Sequence, residues 1–339
     1  MQIWNFWLLA PRLNNHWTIA TMISLAVLIA LVGAKFWLTE QDDFFKKFSR
    51  YAFPSSLIIL LATYPFAAFA KWNYAFLNPE TSCAVEIFAR GHEPIGLDFL
   101  TQYAGFNWLL IITGIGFESI IAILLLSGKY RRWGALLGIF FHFVVGLDLV
   151  AHYFDFSSTL FVLFLLCLPE AAINHIYQST KNQLEDGWKL WAIGIFMALI
   201  LLAPLNDSDG ARILFALGRH VLWIGFGGAV LFYVVRSLFL GWGEPAVELR
   251  VLKQESYQNG PRYVALGIFA IALSMGVSPW LEVQTGYGLM MYSNMQVANG
   301  QTNHVIVPRS LSVGNGYSDL IQFTSSDSSV IQENYAESD

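Results

Sequence analysis

The chain reads as an all-α integral membrane protein, a polytopic bundle of about eight transmembrane helices followed by a short exterior segment. Three observations carry that reading. Of 339 residues, 55% are hydrophobic and only 13% are charged, about half the charged share of an ordinary soluble domain. The apolar residues fall into separated runs of roughly 20, the length that crosses about 30 Å of hydrocarbon. Lysine and arginine alternate between one side and the other of those runs.

In chain order the predicted spans are 18–38, 53–75, 106–126, 133–153, 159–177, 188–205, 213–240 and 263–281. They are predicted as helices because a backbone amide in lipid must find its partner within its own segment, and a barrel would alternate in polarity instead. The first, third, fifth and seventh connections hold Lys46, Lys47, Arg50, Lys129, Arg131, Arg132, Lys181, Lys189, Arg236, Arg250, Lys253 and Arg262. The other side holds only Arg12, Arg90, Arg212 and Arg309. The basic connections are therefore expected in the cytoplasm and both termini outside it. Residues 1–281 form the expected membrane domain, 282–323 the exterior segment, and 324–339 a Ser-rich tail that reads as disordered. Residues 1–10 are apolar but too short to span, and Trp4 and Trp7 suit the interface.

Much is excluded by the same composition. A net charge of −5 offers no basic face for nucleic acid. Cys83 and Cys167 have no metal spacing, and no disulfide is expected between them. The histidines show no ligand spacing, so no metal is predicted. Gly225-Phe226-Gly227-Gly228 lies inside a span and suits close helix approach better than phosphate binding. The segment 76–105 is long and polar enough to be a binding loop or a structured connector.

Ionisable residues inside spans are costly and mark candidate sites. Lys71 lies near the outer end of the second span. It is either a partly desolvated base or a lysine snorkelling to the headgroups, and Tyr64 lies seven residues earlier on the same helix face. Glu118 sits near the middle of the third span, where it must be protonated, paired or wet. His142, at similar depth in the next span, is its expected partner, as a packing pair or a proton path. Asp148 and His152 share a face, and Asp148 is expected to meet Arg219. His16, Lys71, Asp148, His152, Arg219 and His220 all fall in the outer half.

Four stretches carry a resemblance to a known family. They are Asn14-Asn15-His16 before the first span, the run YPFAAFAKWNYAFLNPETSCA over 64–84, the block from Glu118 to Pro169 with Arg131, Arg132 and His142, and YGLMMYSNMQVANGQTNHVIVP over 287–308. In this order they resemble the HTTM family, the membrane domain shared with vitamin K-dependent gamma-carboxylases. The resemblance covers most of the chain. It implies a reduced quinone of the vitamin K type as cofactor, with Lys71 as the base that deprotonates it and His16 as a functional neighbour. Oxygenation would then produce a stronger base, in lyase and oxygenase chemistry. Tyr64, Trp72 and His152 become candidate cofactor-binding residues, with Trp72 standing where the family has leucine. Ser293, Asn294, Asn303 and His304 become an exterior motif that covers the site. The large lumenal domain of the carboxylases has no counterpart after 281, so carboxylation of a protein substrate is not expected. The partners expected are the lipid bilayer, a quinone and a peptide or protein on the exterior side. The competing expectation is a non-enzymatic scaffold or accessory protein for export or maturation of a small peptide. An apolar cavity reaching Lys71 separates the two.

Overall fold

The computed structural model describes residues 15–36, 44–148, 153–168, 172–174, 177–178, 209–239, 260–283, 289–290, 292–298, 300–311 and 313. The described chain is mostly helical. Its main helices are α1 (Asn15–Phe36), α2 (Phe44–Ala70), α3 (Tyr74–Leu77), α4 (Cys83–His92) and α5 (Ala104–Leu126). There follow α6 (Arg131–Val145), α7 (Phe154–Leu165), α8 (Asp209–Phe239) and α9 (Gly260–Val277). Two 3-10 turns, Glu93–Ile95 and Asp98–Gln102, join α4 to α5. A small hairpin, β1 (Val297–Ala298) with β2 (Gln301–Thr302), lies beyond α9.

Among the described residues five helical stretches are long and apolar enough to cross a membrane: Thr18–Phe36, Lys47–Ala70, Ala104–Leu126, Gly218–Arg236 and Gly260–Val277. They coincide with the first, second, third, seventh and eighth predicted spans. The sixth, 188–205, lies outside the described residues, as do residues 1–10 and the tail 324–339. The fourth and fifth expectations need correction, because neither 133–153 nor 159–177 is one uninterrupted helix. α6 stops at Val145 after 15 residues, where Gly146 caps it and the amides of Leu147 and Asp148 tighten into three-residue turns. α7 stops at Leu165 after 12 residues, again in tight turns over Leu166–Leu168. Neither helix alone reaches the length that hydrocarbon requires.

α2 is the hub. It packs on α1, α9, α5 and α7, and 72% of its apolar span is buried, against 28–33% for the other four. Small residues let neighbours close in: a Cβ on Gly276 of α9 would strike the Phe66 ring of α2 at 2.1 Å. α5 and α6 form a tight hairpin. Arg131 is buried there and donates through Nε to the Leu125 carbonyl at 2.9 Å, satisfying an acceptor that the end of α5 leaves open.

The C-terminal end of α2 is heavily capped. A helix end leaves four carbonyls without intrahelical donors. Here the Lys71 amide returns to the Ala68 carbonyl and the Trp72 amide to that of Phe69. The Asn73 side chain donates to the Ala70 carbonyl at 2.8 Å. Its oxygen also accepts from the Phe76 amide at 2.9 Å, capping α3. One buried asparagine thus ends one helix and starts the next.

The exterior motif docks on this junction. Asn73 donates to the Ser293 carbonyl and bridges His304 in antiparallel fashion. Asn303 donates to the Asn73 oxygen at 3.3 Å and to the Asn294 carbonyl at 2.9 Å. Asn294 accepts from the Cys83 amide at 2.6 Å and donates to the Thr81 carbonyl at 3.0 Å. The segment is braced from its other end by Glu282, whose carboxylate accepts from the Gly300 amide and the Ser310 hydroxyl, each at 2.6 Å.

His304 is wholly buried, and its partners define its protonation. Nδ1 accepts from the amides of Ile306 and Val307, both at 3.1 Å, so Nε2 carries the proton and donates to the Phe69 carbonyl at 2.8 Å. Desolvation holds its pKa below the ordinary histidine value. A histidine kept neutral by folding stabilises fully above its unfolded pKa of about 6.5 and loses that contribution as pH falls below it. Limited proteolysis is therefore expected to cut within 289–311 faster at pH 5 than at pH 8. His304→Gln is expected to lose most of that pH dependence.

Candidate functional site

Lys71 follows α2 directly, and it does not snorkel. It is 5% exposed, and its Nζ lies 2.7 Å from Oε2 of Glu118. Glu118 stands about four turns into α5, so the end of α2 is sunk well below the start of α5. The helix end favours a cation there, and the Phe76 ring lies 5.9 Å from the Lys71 ammonium. The expected Glu118–His142 pair is corrected by this geometry. Glu118 takes Lys71, and His142 takes the Tyr64 hydroxyl through Nε2. Depth alone placed Glu118 beside His142; the side-chain directions of α2, α5 and α6 decide otherwise.

These two pairs share the floor of a cavity of about 470 Å³. Its walls are overwhelmingly apolar, from α5 (Leu110, Phe117), α6 (Phe140, Val144) and α4 (Ile87, Phe88). The cavity sits between α5 and α6 at the ends remote from their tight hairpin. Phe140 and Val144 are exposed on the outer face of α6 while lining it, so it opens sideways between two apolar helices. At its other edge stand Cys83, Asp148, Tyr153 and Tyr292. Gly91 of α4 admits Asp148, whose carboxylate would lie 2.1 Å from a Cβ at that position. The Asp148 carbonyl receives Nε2 of His220 at 2.9 Å.

Of the residues named from sequence, Lys71, Tyr64, Glu118 and His142 meet in this cavity. Ser293, Asn294, Asn303 and His304 lie on the Asn73 junction, and Asn294 alone of them meets the cavity lining, by accepting from the Cys83 amide. Trp72 points elsewhere: it is 41% exposed and joins the exterior motif only through its carbonyl, which accepts from Val305 at 2.9 Å. His16 falls in the first turn of α1, with its side chain outside the described residues, and His152 is outside them as well. Sequence reasoning passed over Asn73, Phe76 and Tyr292, and weighed Cys83 only for a metal or a disulfide. Asn73 had a signal, a helix-capping residue in the last turn of a predicted span. Tyr292 had none, because its importance lies in a left-handed backbone at φ 47°, followed by Asn294 at φ 53°. Such a conformation costs about 1–3 kcal/mol for a bulky residue, and the Cys83 thiol donating to the Tyr292 carbonyl at 2.7 Å helps to hold it.

No protein-family model, no curated protein and no solved structure matches the chain.

Two expectations test this geometry. Removing one partner of a buried ion pair strands the other, at a cost of about 3–5 kcal/mol. Lys71→Met and Glu118→Gln should each lower the unfolding temperature in detergent markedly, and the double substitution should recover most of the loss. Burial pushes the Cys83 thiol up to about 12, which leaves almost no thiolate at neutral pH. Maleimide labelling of Cys83 at pH 7.5 should be far slower than that of an exposed thiol and should accelerate on unfolding.

Proposed function

We propose that the chain is a multi-pass membrane enzyme of the HTTM type, with about eight spans and both termini on the non-cytoplasmic side. In this reading it binds a reduced quinone in the cavity beside Lys71. The observation that carries the reading is the cavity itself: an apolar space of about 470 Å³ with a lysine–carboxylate pair at its floor. A scaffold has no need of such a space, and a bundle packed solid at Lys71 would have favoured one. The sideways opening between α5 and α6 suits a ligand that partitions into hydrocarbon and enters from there.

The pair supplies proton chemistry without a buried net charge. In an apolar site the ammonium–carboxylate form and the neutral amine–acid form differ by one proton moving along a 2.7 Å contact. In the second form the Lys71 amine could accept a hydroxyl proton from a quinol held in the cavity, while Glu118 would keep the proton it received. The Lys71 ammonium so formed would stabilise negative charge developing next to it. The exterior motif would close the site from the non-cytoplasmic side, consistent with the sidedness read from the basic connections.

Purified protein in detergent is expected to bind a reduced naphthoquinone saturably, and Lys71→Ala is expected to weaken that binding at least tenfold while remaining monodisperse. Absence of binding by well-folded wild type would remove the quinone reading and favour the scaffold or accessory role.

A further inference from the structure

The connection from α4 to α5 turns apolar side chains outward. Ile95, Leu97, Phe99, Tyr103 and Trp108 are each 37–60% exposed. Exposed apolar residues scattered singly need no explanation, but a run of them marks a contact surface. This run is held on a fixed backbone. Two 3-10 turns, Glu93–Ile95 and Asp98–Gln102, carry most of it, and Gly96 bends the chain between them at φ 67°. The amides of Gly96, Leu97, Leu100 and Tyr103 find carbonyls within the connection or at the end of α4, at 2.9–3.2 Å. The Asn107 side chain donates to the Thr101 carbonyl at 2.9 Å. Backbone amides paired in this way can leave bulk water without a stranded donor. Charge is sparse: from 93 to 109 the sequence has Glu93 and Asp98 and no lysine or arginine. The apolar run continues into α5, where Leu109 is 54% and Ile112 63% exposed. α5 is long and apolar enough to cross a membrane, so the run before it extends a face already suited to hydrocarbon.

We propose that residues 93–103 form a shelf seated in the membrane interface, with Ile95, Leu97 and Phe99 against acyl chains and the carboxylates of Glu93 and Asp98 in the headgroup water. The partner is a lipid surface. The inference rests on the membrane reading of α5 and is independent of the quinol. Tyr103 and Trp108 stand where the shelf meets the first turns of α5. Their rings, apolar in body and polar at one edge, are most stable at that boundary. With no lysine or arginine in the segment, apolar burial drives the contact rather than attraction to anionic headgroups. A bilayer of neutral lipid therefore suffices, and salt does not release the shelf. The seat has a consequence for the site. Ile87 and Phe88 of α4 line the cavity, and Phe88 meets Phe106 of α5 edge-on at 5.0 Å. A moored shelf fixes α4 against α5 and holds the sideways opening at the edge of the hydrocarbon.

Spin labels on the full chain test this in bilayers of phosphatidylcholine. Single cysteines replace exposed residues, as Ile95→Cys, Phe99→Cys, Glu93→Cys and Ile112→Cys, in a chain carrying Cys83→Ser. That change removes the half-buried native thiol and keeps a donor for the Tyr292 carbonyl, and Cys167 is buried. Collisions with oxygen, which concentrates in lipid, are compared with collisions with a water-soluble nickel chelate. The labels at Ile95 and Phe99 are expected to meet oxygen freely, and to meet nickel several-fold less than the label at Glu93, at low and high salt alike. The label at Ile112 reports on α5 itself and is expected to be shielded from nickel more strongly still. Nickel reaching the Ile95 and Phe99 positions as freely as Glu93, with Ile112 shielded, overturns the shelf and leaves α5 in the membrane. Shielding of the Ile95 and Phe99 labels from both reagents means that a protein partner or a second copy covers the run, which also overturns the lipid seat. Nickel reaching the Ile112 label overturns the shelf together with the membrane reading on which it rests.

Discussion

The contact between Lys71 and Glu118 constrains the molecule more than any other. A charge inside a membrane bundle is tolerated only when another group answers it at close range. Glu118 lies four turns into α5, a helix apolar and long enough to cross a membrane, and it is the lysine that comes to it. That requires α2 to end deep in the bundle, and the chain beyond Ala70 must then be folded back at that depth. The other features of the site follow from this. The carbonyls at the end of α2 cannot reach water, so Asn73, Trp72 and His304 supply partners. The volume above the sunken helix end is filled partly by α3, α4 and the exterior segment, and partly by the cavity.

The segment beyond α9 is consequently part of the helical fold rather than an appendage. Its asparagines hydrogen-bond to backbone at the α2–α3 junction and at the start of α4, and Glu282 fastens its far end. Backbone strain at Tyr292 and Asn294 is confined to the point where the segment meets the cavity edge. Strain of that kind persists only where surrounding contacts over-determine the backbone, as the bonds from Cys83, Thr81 and Asn73 do here. The cavity therefore has part of its edge made by Tyr292, about two thirds of the chain length away from Tyr64.

Much of this was legible residue by residue, and little of it pair by pair. Hydropathy located four of the five long apolar helices to within a few residues, because an apolar run of that length has few other uses, but set the second at 53–75 where the helix runs from Phe44 to Ala70. It misjudged 133–153 and 159–177, since apolar content continues through turns that Gly146 and Leu166–Leu168 make, and local tightening leaves no mark on hydropathy. Lys71, Glu118, His142 and Tyr64 stood out as polar groups in apolar runs, and the motif around Asn294 and Asn303 through its resemblance. Partner choice was the failure. Counting residues from a span end gives depth only if all spans begin at one level, and α2 and α5 do not share a level at the Lys71 end.

By itself, the sequence determined that this is a helical protein with several membrane-length apolar segments, and it identified the few polar side chains that such segments must accommodate. The solvent dictates both: hydrocarbon demands apolar length and penalises every exception. Only the tertiary structure decided that Glu118 answers Lys71, that Tyr64 answers His142, and that the two pairs face one apolar cavity. Those outcomes depend on where α2 stops and how α4, α5 and α6 are rotated against it. Rotation and level are set by packing many side chains at once, and no single stretch of sequence encodes them.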